Sequence, residues 1–225
     1  IMSQLSTDHA AIVNSTTLYQ KNIHDAGDYP HKVLKPSTNK KLGRKITKGA
    51  WRGMPFHTLT LVERETCDSD CEHWEDCYGN NMPFAHRFIA NSALTSKINL
   101  ELDILDKKYP AGYVIRLHIL GDFYSVGYVN FWKRQLANRP GLRIYGYTRH
   151  HPTKTIGKAV LSVRQAFPDT FKIRFSNLPS DNLSASSEHV SKRGIVCPVQ
   201  LDKTPNCGAC GLCWVAKKPI IFLDH

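Results

Sequence analysis

The chain has 225 residues, 30 Lys and Arg against 19 Asp and Glu, a formal net charge of +11 and 41% hydrophobic residues. This length fits one large domain, and this apolar content excludes a wholly disordered chain. No apolar run approaches the roughly 18 residues of a membrane span, and residues 1–9 resemble no secretory signal, so we expect a soluble, cytoplasmic protein with no membrane partner.

Residues 1–50 show weak periodicity and many Asn, Thr, Ser and Lys, which predicts a basic, partly ordered N-terminal arm. Residues 31–52 hold eight Lys or Arg and no acid. Such a segment attracts phosphate backbones without reading sequence, so nucleic acid is a predicted partner; a solubilising tail is the alternative. The predicted contacts are Lys40, Lys41, Arg44, Lys45 and Lys48, with Trp51 as a stacking residue.

From residue 51 onwards, β-rich runs alternate with helical patterns. Strands are predicted at 57–62, 114–120, 142–147, 171–175 and 195–199, and helices at 83–108, as one long helix or two, at 126–138 and at 153–167. This alternation predicts that residues 51–225 form a single α/β domain with a mostly parallel sheet. The segment is short for an eightfold barrel of ~250 residues, which favours a partial (βα) barrel or an open sheet.

Every predicted strand ends in polar residues, and in parallel sheets the loops at these ends converge. Asp122 and Arg149 follow the second and third strands and are predicted catalytic residues. Arg149 suits a bidentate carboxylate or phosphate contact, and a structural ion pair is the alternative. Ser176 and Asn177 follow the fourth strand and are predicted to contact a cofactor.

Two residue choices near these ends remain open. Asp122 could instead cap the next helix, although Ser125 could take that role and leave Asp122 free. For His150 and His151, which precede Pro152, an exposed turn is the favoured interpretation.

Seven cysteines form two groups, Cys67, Cys71 and Cys77, then Cys197, Cys207, Cys210 and Cys213. An odd count in a reducing compartment favours metal binding over disulfides. In the second group, three cysteines spaced by two residues join a separate Cys-Pro, a pattern typical of an iron–sulfur cluster such as 4Fe–4S. A four-cysteine zinc site is the alternative. Residues 195–215 are therefore predicted to form a C-terminal metal-binding segment.

The first group supplies only three thiolates, and an open coordination position is typical of a catalytic or substrate-binding metal site. Residues 63–76 hold seven acids and one base, so bound metal would relieve repulsion among thiolates and carboxylates. His73 could be a fourth ligand and close the site as a zinc site of three cysteines and one histidine. We favour a second iron–sulfur cluster with an open position.

Four motifs carry a resemblance to a known family. They are Thr66-Cys67-x3-Cys71-x5-Cys77-Tyr78, Leu117-His118-x2-Gly121-Asp122-Phe123-Tyr124-Ser125, Tyr145-x-Tyr147-Thr148-Arg149, and Cys197-Pro198-Val199-Gln200 with Cys207-Gly208-Ala209-Cys210-Gly211-Leu212-Cys213-Trp214. In this order they resemble the bacteriophage "gene product 88" family over residues 40–215. The resemblance implies a phage protein working in the host cytoplasm, and it implies no activity.

A looser similarity is to radical S-adenosylmethionine enzymes, which place three cysteines after the first strand of a full or partial barrel. That similarity implies that Gly121 and Asp122 bind the cofactor, S-adenosylmethionine, and that the C-terminal cysteines hold an auxiliary cluster. The spacing here is three then five residues, against three then two in those enzymes.

Three functions follow from these patterns. The first is an iron–sulfur enzyme of the radical type. The second is a non-catalytic iron–sulfur protein that binds nucleic acid or a host protein as a regulator. The third is a zinc-stabilised nucleic-acid-binding protein.

Overall fold

The structure is a computed structural model that describes residues 3–223. Its centre is an open five-stranded sheet with strand order β2-β3-β5-β6-β7. The strands are β2 (Lys35–Pro36), β3 (Phe56–Thr58), β5 (Tyr113–Leu117), β6 (Leu142–Thr148) and β7 (Phe171–Phe175). Only β2 runs antiparallel to its neighbour. The mostly parallel sheet is confirmed, and it forms no closed barrel.

Three long helices connect the parallel strands, namely α2 (Ser92–Lys108), α3 (Val126–Asn138) and α4 (Thr155–Ala166). Shorter helices are α1 (Ala10–Val13), α5 (Cys207–Cys210) and α6 (Leu212–Val215), with 3-10 turns at Gln20–Asn22 and Tyr78–Asn81. No helix within residues 3–223 is long and apolar enough to cross a membrane.

Two small sheets flank the central one. In the first, β1 (Ile23–His24) pairs with β4 (Arg87–Phe88). In the second, β10 (Ile220–Phe222) lies between β8 (Ala185–Ser187) and β9 (Ile195–Val196). The predicted fifth strand at 195–199 was wrong in two respects, since it ends at residue 196 and belongs to this second small sheet.

The two faces of the central sheet are covered differently. Successive strand residues point to opposite faces, so Ile115 and Ile144 pack in the large core beneath the three long helices. Val114 and Tyr145 point the other way, into a smaller core with Trp51 and Trp214. Residues 42–54 and the C-terminal cysteine segment therefore cover the second face, where no long helix lies among the described residues.

The helix predicted at 83–108 begins at Ser92. Asn91 caps it by accepting a hydrogen bond from the Leu94 N–H at 2.9 Å. Phe84 and Phe88 stand at helical spacing, yet Phe84 is 91% exposed and Phe88 is buried in the short strand β4. Their apolar spacing fits a helix by coincidence.

Residues 31–50 are folded onto the body, which differs from the predicted arm. Val33, Leu34 and Ile46 are each only 1% exposed. The N–H groups of Val33 and Leu34 donate to the buried Glu101 carboxylate of α2, both at 2.8 Å. Composition alone could not predict these buried contacts.

Candidate functional site

Polar residues from the carboxyl ends of the parallel strands converge on one cavity of about 450 Å³. Its lining includes all three cysteines of the first group, followed by Gly121, Asp122, Thr148, Arg149 and Ser176 from the strand ends. The remaining residues are Glu63, His73, Tyr78, His118, Ile119, Leu120, Tyr147, Ala185 and Phe222. The convergence expected from the order of strands is therefore present.

A buried ion pair holds the base of the first cysteine loop. The Arg87 guanidinium donates to both Glu63 oxygens at 2.7 and 3.0 Å, and both side chains are almost fully buried. Arg87 also donates to the carbonyls of Gly79, Met82 and Ala85. The bidentate pair and the carbonyl contacts together fix the chain just after Cys77.

Arg64 fixes the middle of the same loop. It donates to the Trp74 carbonyl at 2.8 Å and to Asn80 Oδ1 at 2.7 Å. A third donation, at 2.9 Å, reaches the Thr16 carbonyl in the N-terminal segment. Residues near the start of the chain thus cover the cysteine loop and help to order it.

The three thiols of this loop are all free and partly buried. Burial raises the pKa of Cys67, and the nearby Asp122 carboxylate raises it further. Burial also raises the pKa of Cys71, and raises that of Cys77 to about 11. Thiolates in this position need a bound cation to offset burial and mutual repulsion, so the donor set suits a soft metal or cluster.

Asp122 joins two strand ends. Its carboxylate accepts from the Phe123 N–H at 2.7 Å, the Thr148 hydroxyl at 3.1 Å and the Arg149 N–H at 2.7 Å. Ser125, not Asp122, caps the following helix, accepting from the Tyr128 N–H. Burial raises the pKa of Asp122. Because it is buried and hydrogen-bonded, Asp122 positions the strand ends.

Gly121, just before Asp122, permits a close approach between two loops. Its φ is +80°, and a Cβ there would overlap Thr66 Oγ1. That same Thr66 oxygen accepts a hydrogen bond from the Asp122 N–H at 3.3 Å. The glycine therefore brings the strand end against the start of the cysteine loop.

The guanidinium of Arg149 forms no ion pair with any group among residues 3–223. Its Nε is buried without a hydrogen-bond partner, and the residue lines the cavity with Cys71. No carboxylate lies within ion-pair distance of it among the described residues. This arrangement suits an anionic ligand better than the structural ion pair considered as its alternative.

Ser176 and Asn177 differ in placement. Ser176 lines the cavity. The Asn177 amide donates to Glu72 in the cysteine loop and accepts from the Ser187 N–H at 2.9 Å. Asn177 therefore joins the cysteine loop to β8. It is not among the described residues that line the cavity.

The histidines near this site also divide. His73 lines the cavity, with Nδ1 lying 3.1 Å from Asp76 Oδ1. His151 is exposed as expected, whereas the expected exposure of His150 was wrong, since it is 7% exposed. The His150 Nε2–H donates to the Phe123 carbonyl at 2.7 Å. That carbonyl, held by the Asp122 turn, draws the ring inwards.

The second cysteine group lines a separate and much smaller space of about 10 Å³. Its lining is Cys197, Pro198, Val199, Cys207, Cys210, Gly211, Leu212, Cys213, Trp214 and Ile220. Burial raises the pKa of Cys207 to about 12 and also raises that of Cys213. All four cysteines line this one small space, in the grouping that the sequence predicted.

The N-terminal segment grips the start of this cysteine run. The N–H groups of Cys207 and Gly208 donate to the carbonyls of Lys41 and Leu42 at 2.8 and 3.1 Å. The Thr47 N–H donates to the Gly208 carbonyl at 3.0 Å. A Cβ at Gly208 would overlap the Lys45 carbonyl oxygen, so only glycine allows this contact.

Arg174, on β7, holds the other end of the cysteine run. It is 3% exposed, and its guanidinium donates to five backbone carbonyls. Those carbonyls belong to Ser184, Leu212, Cys213, Ala216 and Lys218. One buried side chain thus fastens the C-terminal segment to the central sheet.

Tyr147 connects the two cysteine sites. It lines the large cavity, and its hydroxyl donates to Cys213 Sγ at 3.0 Å. Burial raises the pKa of Tyr147, so the hydroxyl keeps the proton that it donates.

Like Tyr147, His118 is a cavity residue that is missing from the predicted site. Both residues stand in the motifs quoted above, which was the available signal.

The predicted nucleic-acid contacts fall into two groups. Lys40, Lys41, Arg44, Lys45 and Lys48 are exposed. Trp51 is 5% exposed and stacks on Trp214, with ring centroids 5.6 Å apart and planes 8° from parallel. This ring is committed to the smaller core, which corrects its predicted role as a stacking platform for bases.

Metal binding is not established by side-chain geometry alone. Within residues 3–223, no three His, Cys, Asp or Glu side chains are drawn together tightly enough to hold a metal ion. The cysteines share pockets in the predicted grouping of three and four, and the metal remains a prediction.

Comparison with known proteins identifies the family. No curated protein and no solved structure matches the chain. The model of the family Gene product 88 matches residues 31–193, well over half of the chain. The match contains the first cysteine group and the strand-end residues, and it ends before Cys197. The chain therefore belongs to the Gene product 88 family.

Proposed function

We propose that this protein is an iron–sulfur protein with two unlike sites. Cys67, Cys71 and Cys77 hold a cluster with an open position, and the four C-terminal cysteines hold a closed one. One observation carries the proposal: all seven cysteines line two neighbouring pockets as three and four. Thiolate sets of this kind bind 4Fe–4S clusters, and zinc is the alternative metal.

The open site has the features of an enzyme that acts on a small molecule carrying an anionic group. A bound cluster would supply one-electron chemistry and an open iron position for a ligand. The unpaired Arg149 binds a carboxylate or phosphate of that ligand. Asp122 accepts the Arg149 N–H at 2.7 Å and so orients that residue. Gly121 and Ser176 form part of the wall against which the ligand lies.

S-adenosylmethionine is the proposed ligand, since it carries a carboxylate and the cavity of about 450 Å³ lies beside three cysteines. The enzyme would then cleave this cofactor reductively, with electrons from an external low-potential reductant.

The first experiment is purification without oxygen, followed by absorbance spectroscopy and analysis of iron, sulfide and zinc. We expect brown protein with iron at both sites. Cys71→Ala should remove the iron of one site and Cys210→Ala that of the other. A colourless protein with stoichiometric zinc would end the iron proposal.

The second experiment separates enzyme from binding protein. With dithionite as reductant, wild-type protein should cleave S-adenosylmethionine. Arg149→Gln should weaken binding of the cofactor with iron content unchanged, while Arg143→Gln, at the opposite end of the same strand, should have no effect. Iron-loaded wild-type protein that neither binds nor cleaves the cofactor would contradict the enzymatic proposal.

A second candidate function is regulation through nucleic acid or a host protein. The observation that favours nucleic acid is the set of exposed cations at residues 40–48, none of which pairs with a carboxylate among residues 3–223.

A further inference from the structure

The exposed cations of residues 40–52 form one basic surface. We define the basic surface as Lys40, Lys41, Arg44, Lys45, Lys48 and Arg52, all of which are exposed. Residues 31–52 contain no acid. No large hydrophobic side chain is exposed between residues 40 and 52. Protein interfaces need an apolar centre, so this surface suits a phosphate backbone better than a protein.

The basic surface is built directly on the C-terminal cysteine site. The carbonyls of Lys41 and Leu42 accept from the N–H groups of Cys207 and Gly208. Thr47 returns a hydrogen bond to the Gly208 carbonyl. These contacts bracket residues 41–47, which carry three of the six cations.

Side chains reinforce the same contact. Leu42 and Ile46 are buried in the smaller core. Trp51 stacks on Trp214, the residue after Cys213. The relative positions of the cations therefore depend on how the cysteine run is folded.

We propose that the basic surface binds the phosphate backbone of nucleic acid, and that the state of the C-terminal cysteine site controls the strength of this binding. The control rests on the proposed function, because it needs the four thiols to gain or lose a metal group. Four clustered thiols without a metal to join them are held together less firmly, and the segment bonded to Cys207 and Gly208 loosens with them. Loosened cations contact phosphates at a higher entropic cost.

The charge test compares two variants that each remove four positive charges. Lys40, Lys41, Lys45 and Lys48 are changed to Gln in one, and Lys107, Lys108, Lys133 and Arg134, exposed on α2 and α3, in the other. Binding to a fluorescent DNA of twenty nucleotides is measured by anisotropy at several salt concentrations. We expect at least tenfold weaker binding and a shallower salt slope only for the first variant.

Two results would overturn the surface assignment. One is equal weakening by both variants, which would indicate attraction to net charge alone. The other is displacement of DNA by polyglutamate at equal charge concentration, which would indicate an acidic protein as the partner.

The control test uses Cys210→Ser and Cys71→Ser, one from each site. We expect Cys210→Ser to weaken DNA binding at least fivefold and Cys71→Ser to leave it unchanged. Gly208→Ala perturbs the contact with Lys45 directly and should weaken binding as Cys210→Ser does, with circular dichroism reporting the fold. Unchanged DNA binding by both Cys210→Ser and Gly208→Ala would overturn the control.

The outcome is distinguishable from failure of the proposed function. Wild-type protein that holds no metal at either site but binds DNA through the basic surface would refute the metal proposal and the control together, and leave the surface assignment standing.

Discussion

The two cysteine sites are built on opposite principles. The first group lies beside a cavity of about 450 Å³ and shares its walls with residues from four strand ends. The second group encloses about 10 Å³. A large cavity leaves room for a ligand next to the thiols, whereas a space on the scale of a single water molecule leaves no room for a ligand beside them. The same residue type thus stands in two unlike surroundings.

The sites also differ in how they are held. Side chains of opposite charge hold the first loop, through the buried pair of Arg87 and Glu63. The second is held by the Arg174 guanidinium, which donates to backbone carbonyls, and by backbone hydrogen bonds with residues 41–47. Arginine donors to backbone carbonyls thus hold both runs, and the first adds a buried ion pair to them.

The largest effect should follow loss of the buried pair. Arg87→Ala leaves the Glu63 carboxylate buried without a cation, and we expect a loss of about 3–5 kcal/mol in the free energy of unfolding. Urea denaturation measures it. Lys154→Ala, which removes an exposed contact with Asp70, is the matched control and should change stability little. Equal effects of the two variants would contradict the described burial.

Removal of Arg174 should affect the second site and spare the first. Arg174→Ala leaves five carbonyls short of a donor, which we expect to cost roughly 2–4 kcal/mol. Limited proteolysis should then cut after residue 196 sooner than in the wild-type protein. Arg174→Lys, with a shorter reach and no guanidinium fork, should recover only part of the loss. Faster cutting within residues 67–77 instead would contradict this division.

Acid should lower the stability of the folded protein through His118, which lines the open site. Burial, and then Arg116, lowers the pKa of His118 from 6.5 to about 3. Below pH 6.5 the unfolded chain therefore binds a proton at this histidine, whereas the folded chain leaves it neutral. The free energy of unfolding decreases as the pH is lowered, by about 2 kcal/mol between pH 6.5 and 5 for this group. His118→Asn should flatten the slope of stability against pH.

His57 provides the comparison for that experiment. Burial lowers its pKa to about 4, and it lines neither cysteine pocket. His57→Asn should flatten the slope similarly and leave ligand binding at the open site unchanged, whereas His118→Asn should alter both. A slope that neither variant changes would show that other groups carry the acid sensitivity.

The smallest effect should come from the residue between the sites. Tyr147→Phe removes the hydrogen bond to Cys213 Sγ, at a cost of about 1 kcal/mol in stability. Hydrogen bonds to sulfur influence the reduction potential of a cluster, so the potential of the second site should fall and that of the first should stay constant. Redox titration followed by electron paramagnetic resonance tests this. A shift at both sites would mean that Tyr147 does not separate them.

Local patterns predicted the regular parts of the molecule well. The helix at 126–138 and the strand at 171–175 begin and end where predicted, because each has a clear apolar period. Asp122, Arg149 and the first cysteines meet at one cavity because the parallel order of strands, readable from the alternation of elements, brings strand ends together.

Other features depend on contacts distant in sequence. His118 and Tyr147 look like strand residues in the sequence, and only the fold shows them on the cavity wall. Residues 31–52 are polar enough to suggest an arm. The Glu101 carboxylate accepts hydrogen bonds from the N–H groups of Val33, sixty-eight residues away, and Leu34. These bonds help to hold the segment on the body of the molecule.

The sequence by itself determined the family, the parallel α/β class and the division of seven cysteines into three and four, because these follow from local spacing and periodicity. The tertiary structure decided how much space adjoins each cysteine group, and placed residues 41–47 against the second. Those outcomes depend on which distant backbone and side-chain groups satisfy one another when buried, and no local pattern encodes that pairing.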